Sequence, residues 1–184
     1  ADQELYKTLI EREIGKKVDA IRVTEDEMKA FYSKSPEIRS SHILIEFKPD
    51  ATEAQKNAAK ERAKEIYKEV QASKRPFQEL VALYSDDPLS KNTGGDVGWQ
   101  SSITLVPAYY DVILKMKVGE VRGIVETPYG FHIIKVSDRR GYNDANKRTL
   151  RAAVFEQRRK TVFDDYFAKI KKTYSININK TALK

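Results

Sequence analysis

The chain has 184 residues, room for one ordinary domain with added elements or for two small domains, and its lack of cysteine removes thiol nucleophiles, thiolate metal sites and disulfides. A hydrophobic content of 40% excludes wholesale disorder, and no run approaches the roughly 18 apolar residues of a spanning helix, so membrane insertion of this chain is not expected. The net charge of +7 sets 34 basic against 27 acidic residues, interleaved as on a solvated helix face; with no zinc pattern or recognition helix, no nucleic-acid partner is expected.

The opening "ADQELYKTLI" is charged and helical rather than an apolar leader, so either a leader has been removed or the chain is part of a longer protein. Leu5, Leu9, Ile10, Ile14 and Val18 predict one face of a helix over residues 3–18. "TEDE" at 24–27 is a capping box, with the Thr24 hydroxyl accepting an amide proton while Glu27 reaches back. It should open a short helix carrying Met28, Phe31 and Tyr32 that ends before Pro36. A strand is predicted at about 38–47, with Ile43, Ile45 and Phe47 on one face and Ser40, His42, Leu44 and Glu46 on the other.

A turn at "KPDAT" leads into a long helix over roughly 52–73, and "RPFQELVALYS" predicts a shorter one with Pro76 near its first turn. "DDPLSKNTGGDVGW" is dense in turn formers and reads as a loop. A small helix near "PAYYDVILKM" precedes two strands in "VGEVRGIVETPYGFHIIKVSDRR", joined across "TPYG". The tail at 145–173 is helical again, with Leu150, Val154, Val162, Tyr166, Phe167 and Ile170 on a stripe, and "SINI" at 175–178 is a candidate strand. Helices at both ends need an apolar partner, and the simplest is each other. The expected fold class is α+β, with a domain at 38–140 inserted in a helical lobe made from 1–37 and 141–184.

The chain has two histidines, His42 and His132, and each opens an Ile/Leu-rich strand. Around them, "SSHILI", "FQELVALYSDDP", "GGDVGW", "LVPAYYDVILKMKVGEV" and "GIVETPYGFHIIKV" follow an order and spacing that resemble parvulin-type peptidyl-prolyl isomerases over about 38–138. The flanks, "IRVTEDEMKAFYSKSPEIRSSHIL" leading in and "TYSININ" leading out, are similar to the SurA/PrsA group of secreted bacterial foldases in their helical arms and boundaries.

The resemblance implies a four-stranded antiparallel sheet wrapped by helices. His42 and His132 would lie on neighbouring central strands and share a hydrogen bond beneath the substrate site. It places Asp87 where relatives carry Cys or Asp, Val97, Leu105 and Tyr109 along a proline pocket, and Thr127 and Tyr129 near the histidines. Without it, Asp87 in "YSDDP" reads as a turn residue, and Val97, Leu105 and Tyr109 as ordinary core. Gly94 and Gly95 are expected to take positive φ in a tight turn. The sequence departs from the family pattern at Gln100, where many relatives have Phe, and at Tyr129, where a small residue is commoner. Glu46, with no arginine cluster after it, argues against phosphate-directed recognition.

The expectation is therefore an extracytoplasmic isomerase, in a bacterial periplasm or on the cell-envelope exterior. It would turn X–Pro bonds of proline-containing unfolded polypeptides without covalent chemistry, metal or cofactor, using His42, Asp87, His132 and Thr127 with the pocket of Val97, Gln100, Leu105, Tyr109 and Tyr129. Two histidines are too few for a metal centre, and no G-x-S-x-G elbow supports a hydrolase. Two other readings stay open: a holdase chaperone with a weak or inactive parvulin domain, and a homodimer formed through helical arms bearing Tyr6, Leu9, Tyr166 and Phe167.

Overall fold

The computed structural model describes residues 2–173; the expected strand at 175–178 and the side chains of Leu5, Tyr6 and Leu9 lie outside the described residues. In chain order the elements are α1 (Asp2–Asp19), α2 (Glu25–Lys34), β1 (Ile38–Glu46), α3 (Glu53–Ala72), α4 (Phe77–Tyr84), β2 (Asp96–Gln100), α5 (Pro107–Leu114), β3 (Val121–Thr127), β4 (Gly130–Arg139) and α6 (Lys147–Thr173). Local chemistry sets several of the boundaries. At the start of α2 the Thr24 amide donates to Glu27 at 2.9 Å and the Glu27 amide to the Thr24 hydroxyl at 3.2 Å. Thr52 and Gln55 close the same box at the start of α3.

All four strands pair antiparallel in the order β2-β1-β4-β3, the α+β architecture that the resemblance implied. One element corrects the sequence reading: Asp96–Gln100 is a strand, not part of a loop. Three glycines with φ between 68° and 79° (Gly94, Gly95 and Gly98) punctuate this stretch, and the ladder to β1 breaks at a bulge between Arg39 and Ser41. Turn chemistry inside a five-residue strand hides the period-two signal.

Alternation along the two central strands then builds two cores. Ile43, Ile45, Phe131 and Ile133 pack with α3 and α4 through Ala63, Ile66, Val70, Phe77, Leu80 and Val81. On the opposite face Ile38, Val125, Ile134 and Val136 pack with α5 through Tyr109, Tyr110 and Ile113. The C-terminal end of α5 is fixed by Arg139 of β4, whose Nη2 donates to the carbonyls of Ile113 (2.6 Å), Leu114 (3.0 Å) and Met116 (2.6 Å).

The described chain divides into two compact units, one from residues 32–145 and one from 2–31 with 146–173. In the helical unit α1 packs along α6, and its buried residues include Ile14, Ile21, Met28, Leu150 and Val154. Arg158 pairs with Glu27, Arg151 donates to the Val23 carbonyl at 3.1 Å, and Lys17 lies 5.4 Å from the centre of the Tyr166 ring.

Two glycines lead to opposite predictions. A Cβ on Gly95 would sit 2.3 Å from the His42 carbonyl oxygen at a φ of +79°, whereas one on Gly15, inside α1, meets nothing within 4 Å. Gly95→Ala should therefore cost about 2 kcal/mol or more, and Gly15→Ala should gain about 0.5–1 kcal/mol. Urea unfolding checks both, followed by the fluorescence of the single tryptophan, Trp99, for the sheet unit and by helical circular dichroism for the helical unit.

Candidate active site

The ladder between β1 and β4 sets His42 opposite Ile134 and His132 opposite Leu44, so the two imidazoles lie diagonally on the face covered by α5. Their centroids are 5.1 Å apart, and Nδ1 meets Nδ1 at 3.1 Å. Both residues are buried, with 8% and 4% of their surface exposed. At the β3 end, the Thr127 Oγ1 lies 2.7 Å from His132 Nε2 and accepts the Tyr129 amide at 3.2 Å.

At the other end Asp87 arrives on a loop that runs beside β1. The Asp86 amide donates to the Leu44 carbonyl at 2.8 Å, and the Leu44 amide to the Ser85 hydroxyl at 3.1 Å. This pairing covers the edge of β1 beyond β2 and brings Asp87 Oδ2 to 2.8 Å from His42 Nε2. The other carboxylate oxygen accepts the Leu89 amide at 3.0 Å, so Asp87 is both a turn former and a partner of the histidine.

The Asp87 side chain is largely buried, which opposes its charge, yet donors from Ser90, His42 and the Leu89 amide outweigh burial and hold its carboxyl below the usual range. An ionised carboxylate only accepts, so His42 Nε2 carries a hydrogen toward Asp87. In neutral His42 this leaves Nδ1 as an acceptor, so His132 donates from Nδ1 and receives the Thr127 hydroxyl at Nε2. Burial first, then the neighbouring His42, pushes His132 down to about 3, so it is neutral at physiological pH. The result is one unbroken donor sequence from the Tyr129 amide to Asp87.

Tyr109 of α5 stands over the pair, its ring 5.3 Å from that of His132 at 89° and 6.1 Å from that of His42 at 67°. It is 2% exposed, and its hydroxyl lies 3.1 Å from that of Ser40 on β1. Burial raises the Tyr109 hydroxyl's pKa, with the Ser40 hydrogen bond acting against it. Leu105 packs half-buried on the same core cluster. Gln100 lies opposite Ile38, on the histidine face, and turns its amide onto the Val97 carbonyl at 2.7 Å. Val97 and Gln100 are thus joined within β2, one strand away from His42. Tyr129 meets the row through its amide, while its side chain leaves the residue 62% exposed.

Sequence reasoning passed over two contributors. In the sequence Ser90 is one of many turn formers, and Ser40 is a residue of the histidine face with no evident role. For Ser40 the period-two alternation from His42 was a usable signal. For Ser90, its position three residues after Asp87 in a tight turn was the available hint.

A four-stranded antiparallel sheet with a bridged histidine pair beneath an aromatic wall defines a parvulin-like α+β protein. The chain belongs to the PPIC-type PPIase family: residues 42–138, more than half of the chain, match the model described as "Rotamase: PPIC-type PPIASE domain". It is 40% identical over 123 residues to the foldase protein PrsA of Geobacillus kaustophilus (strain HTA426), covering 66% of this chain and 39% of that protein. It is 33% identical over 146 residues to the chaperone SurA of Nitrosospira multiformis (strain ATCC 25196 / NCIMB 11849 / C 71), covering 76% of this chain and 32% of that one. A crystal structure of peptidylprolyl isomerase (PrsA) from Bacillus cereus superposes with a TM-score of 0.62 at 26% identity, covering 98% of this chain and 66% of that chain. The aligned stretch spans less than half the length of these two curated relatives.

The depressed His132 implies a signed pH effect. Its pKa falls from 6.5 to about 3 on folding, so below about 6.5 the unfolded chain binds the proton more readily and stability drops as pH falls toward 3. The slope contributed by this residue approaches about 1.4 kcal/mol per pH unit. Urea midpoints of wild type and His132→Gln between pH 7 and 4.5 measure it: the wild-type curve should fall more steeply, and parallel curves would refute it.

Proposed function

We propose that residues 38–140 act as an isomerase domain that turns X–Pro bonds in unfolded polypeptides, flanked by 1–37 and 141–184 as a chaperone lobe, outside the cytoplasm. The observation that carries this reading is a buried row of hydrogen-bonded groups, one imidazole held neutral, beside the apolar wall of α5. The chemistry asked of such a site is modest. Rotation about an X–Pro bond faces a barrier of about 18–20 kcal/mol from amide resonance, and each 1.4 kcal/mol removed is worth about tenfold.

A twisted amide loses resonance and, with it, charge separation between oxygen and nitrogen. A wall of Leu105, Tyr109 and Val97 against the proline ring would favour that twisted form over the planar one. Asp87 then acts through its field, discouraging negative charge on the client's carbonyl oxygen, while His42, His132 and Thr127 hold its position. Isomerisation of an Ala-Pro tetrapeptide, followed by coupled proteolysis, tests this. The intact chain should accelerate exchange, and Asp87→Ala and His42→Ala should each lower kcat/KM about tenfold or more. Unchanged turnover in Asp87→Ala would remove the carboxylate from the mechanism.

A second reading, a holdase with a weak isomerase domain, draws on the helical unit. There a groove of about 340 Å³ is lined by Ile10, Ile14, Val18, Phe163 and Phe167, with open space above Gly15. Its polar edge is Glu11, Asp19 and Arg159, so an extended apolar segment fits its floor. Suppression of aggregation of a denatured client, weakened by Phe163→Ser and accompanied by no peptide turnover, would favour this reading over the first.

A further inference from the structure

We propose that Ser90 is a positioning residue that keeps Asp87 a carboxylate and so fixes the direction of the hydrogen-bonded row through both imidazoles. Ser90 is 4% exposed, and its hydroxyl donates to Asp87 Oδ2, the oxygen that also meets His42 Nε2 at 2.8 Å. The same hydroxyl oxygen lies 3.3 Å from Nε2, so serine, carboxylate and imidazole form a closed triangle. Its backbone is pinned on the same side. The Gly95 amide donates to the Ser90 carbonyl at 2.8 Å, and the Gly95 carbonyl accepts the His42 amide at 3.0 Å. The Lys91 amide closes the turn onto the Asp87 carbonyl at 3.0 Å. Ser90 is thus tied through one glycine to the histidine whose partner it holds.

The row has two self-consistent directions. With Asp87 ionised, every donor points toward it from Thr127. With Asp87 protonated, its O–H donates to His42 Nε2, His42 donates from Nδ1 to His132, and His132 donates from Nε2 to Thr127. In the second direction Thr127 accepts from both His132 and the Tyr129 amide, and its own proton loses its place in the row. Removing the Ser90 hydroxyl leaves the buried carboxylate with His42 and the Leu89 amide, which makes proton uptake and reversal easier.

The charged groups around Asp87 offer little substitute. Asp86 beside it is paired with Arg62 of α3 at 2.7 Å, Glu46 on β1 is a second carboxylate, and Lys91 is on the following turn. His42 on β1 and His132 on β4 complete the set.

The catalytic consequence rests on the isomerase reading, so two measurements are paired. In a pH profile of kcat/KM carried from about 3 up to about 8, the wild-type acid limb should lie at the low end, and Ser90→Ala should move it up by about one pH unit, a loss of up to about tenfold on that limb. Ser90→Cys, close in size but a weak donor, should fall between Ala and wild type. A loss by one constant factor at every pH, or none, would overturn the proposal. In parallel, ¹⁵N shifts should show hydrogen on His42 Nε2 and His132 Nδ1 in the wild type, with reversal at higher pH in Ser90→Ala. If the wild type does not turn over peptide, the isomerase reading fails and the tautomer titration alone decides. Reversal at higher pH sustains the role of Ser90, and tautomers that titrate as in the wild type overturn it. Should Ser90→Ala fail to fold, Ser90→Cys supplies the same comparison.

Discussion

The contact on which the rest of the sheet unit depends is the 3.1 Å approach of His42 Nδ1 to His132 Nδ1 across the two central strands. Two buried nitrogens at that distance are tolerable only when one carries hydrogen and the other a lone pair; two donors, or two lone pairs, would leave an unsatisfied group in a dry place. That requirement reaches into the backbone. A register slip of one residue between β1 and β4 would send one ring to the α3–α4 face, so the ladder has to be fixed tightly. Glycine helps at two points along β1. A Cβ on Gly95 would strike the His42 carbonyl oxygen, and one on Gly130, at a φ of +144°, would come within 2.2 Å of the Ile45 carbonyl oxygen. Close backbone approach at these two places holds β1 between the loop and the turn that carry the two ends of the row.

The same polarity argument separates this site from a hydrolase that uses similar residue types. Serine, histidine and aspartate are all present within hydrogen-bond range in Ser90, His42 and Asp87. In a nucleophilic triad the carboxylate binds one ring nitrogen and leaves the other free to take the serine proton. Here Asp87 and Ser90 converge on the same nitrogen, Nε2, and the second nitrogen is engaged by His132. The serine hydroxyl gives its hydrogen to the carboxylate, so no lone pair on His42 waits for it. The geometry organises a hydrogen-bonded row that ends on a carboxylate instead of an activated oxygen.

How far the sequence foretold this differs by element. Long periodic segments were legible: α3 and α6 follow from composition and spacing, and the capping box at Thr24 and Glu27 marks the start of α2 through chemistry confined to four residues. The alternation in "SSHILIEF" correctly separated Ile43 and Ile45 from His42 and Leu44. β2 was not legible, because Gly94, Gly95 and Gly98 each take positive φ inside or beside it. The meeting of His42 with His132, 90 residues apart, has no signature in spacing; family motifs supplied it, since only tertiary pairing brings β1 beside β4. Ser90 and Gln100 show a subtler limit. Both have half-polar local jobs, a turn hydroxyl and an amide on a nearby carbonyl, and what decides their meaning is the neighbour met in three dimensions.

Three titratable groups of this site are poorly placed for acid–base work. His132 stays neutral down to about 3, Asp87 is held in its ionised form, and burial takes the Tyr109 hydroxyl further from its ionised form. Efficient general catalysis needs a group whose pKa lies near the working pH, and these three have been moved away from it. Rotation about a peptide bond transfers no proton and breaks no covalent bond, so it loses nothing by that arrangement. What it requires is a surface on which planar and twisted amides differ in free energy by a few kcal/mol, held still while the client turns. A carboxylate of fixed charge, an aromatic wall braced by Ser40, and a helix clamped at its end by Arg139 provide fixed dipoles and fixed shape. On the isomerase reading, rigidity in the polar row is what the site would contribute.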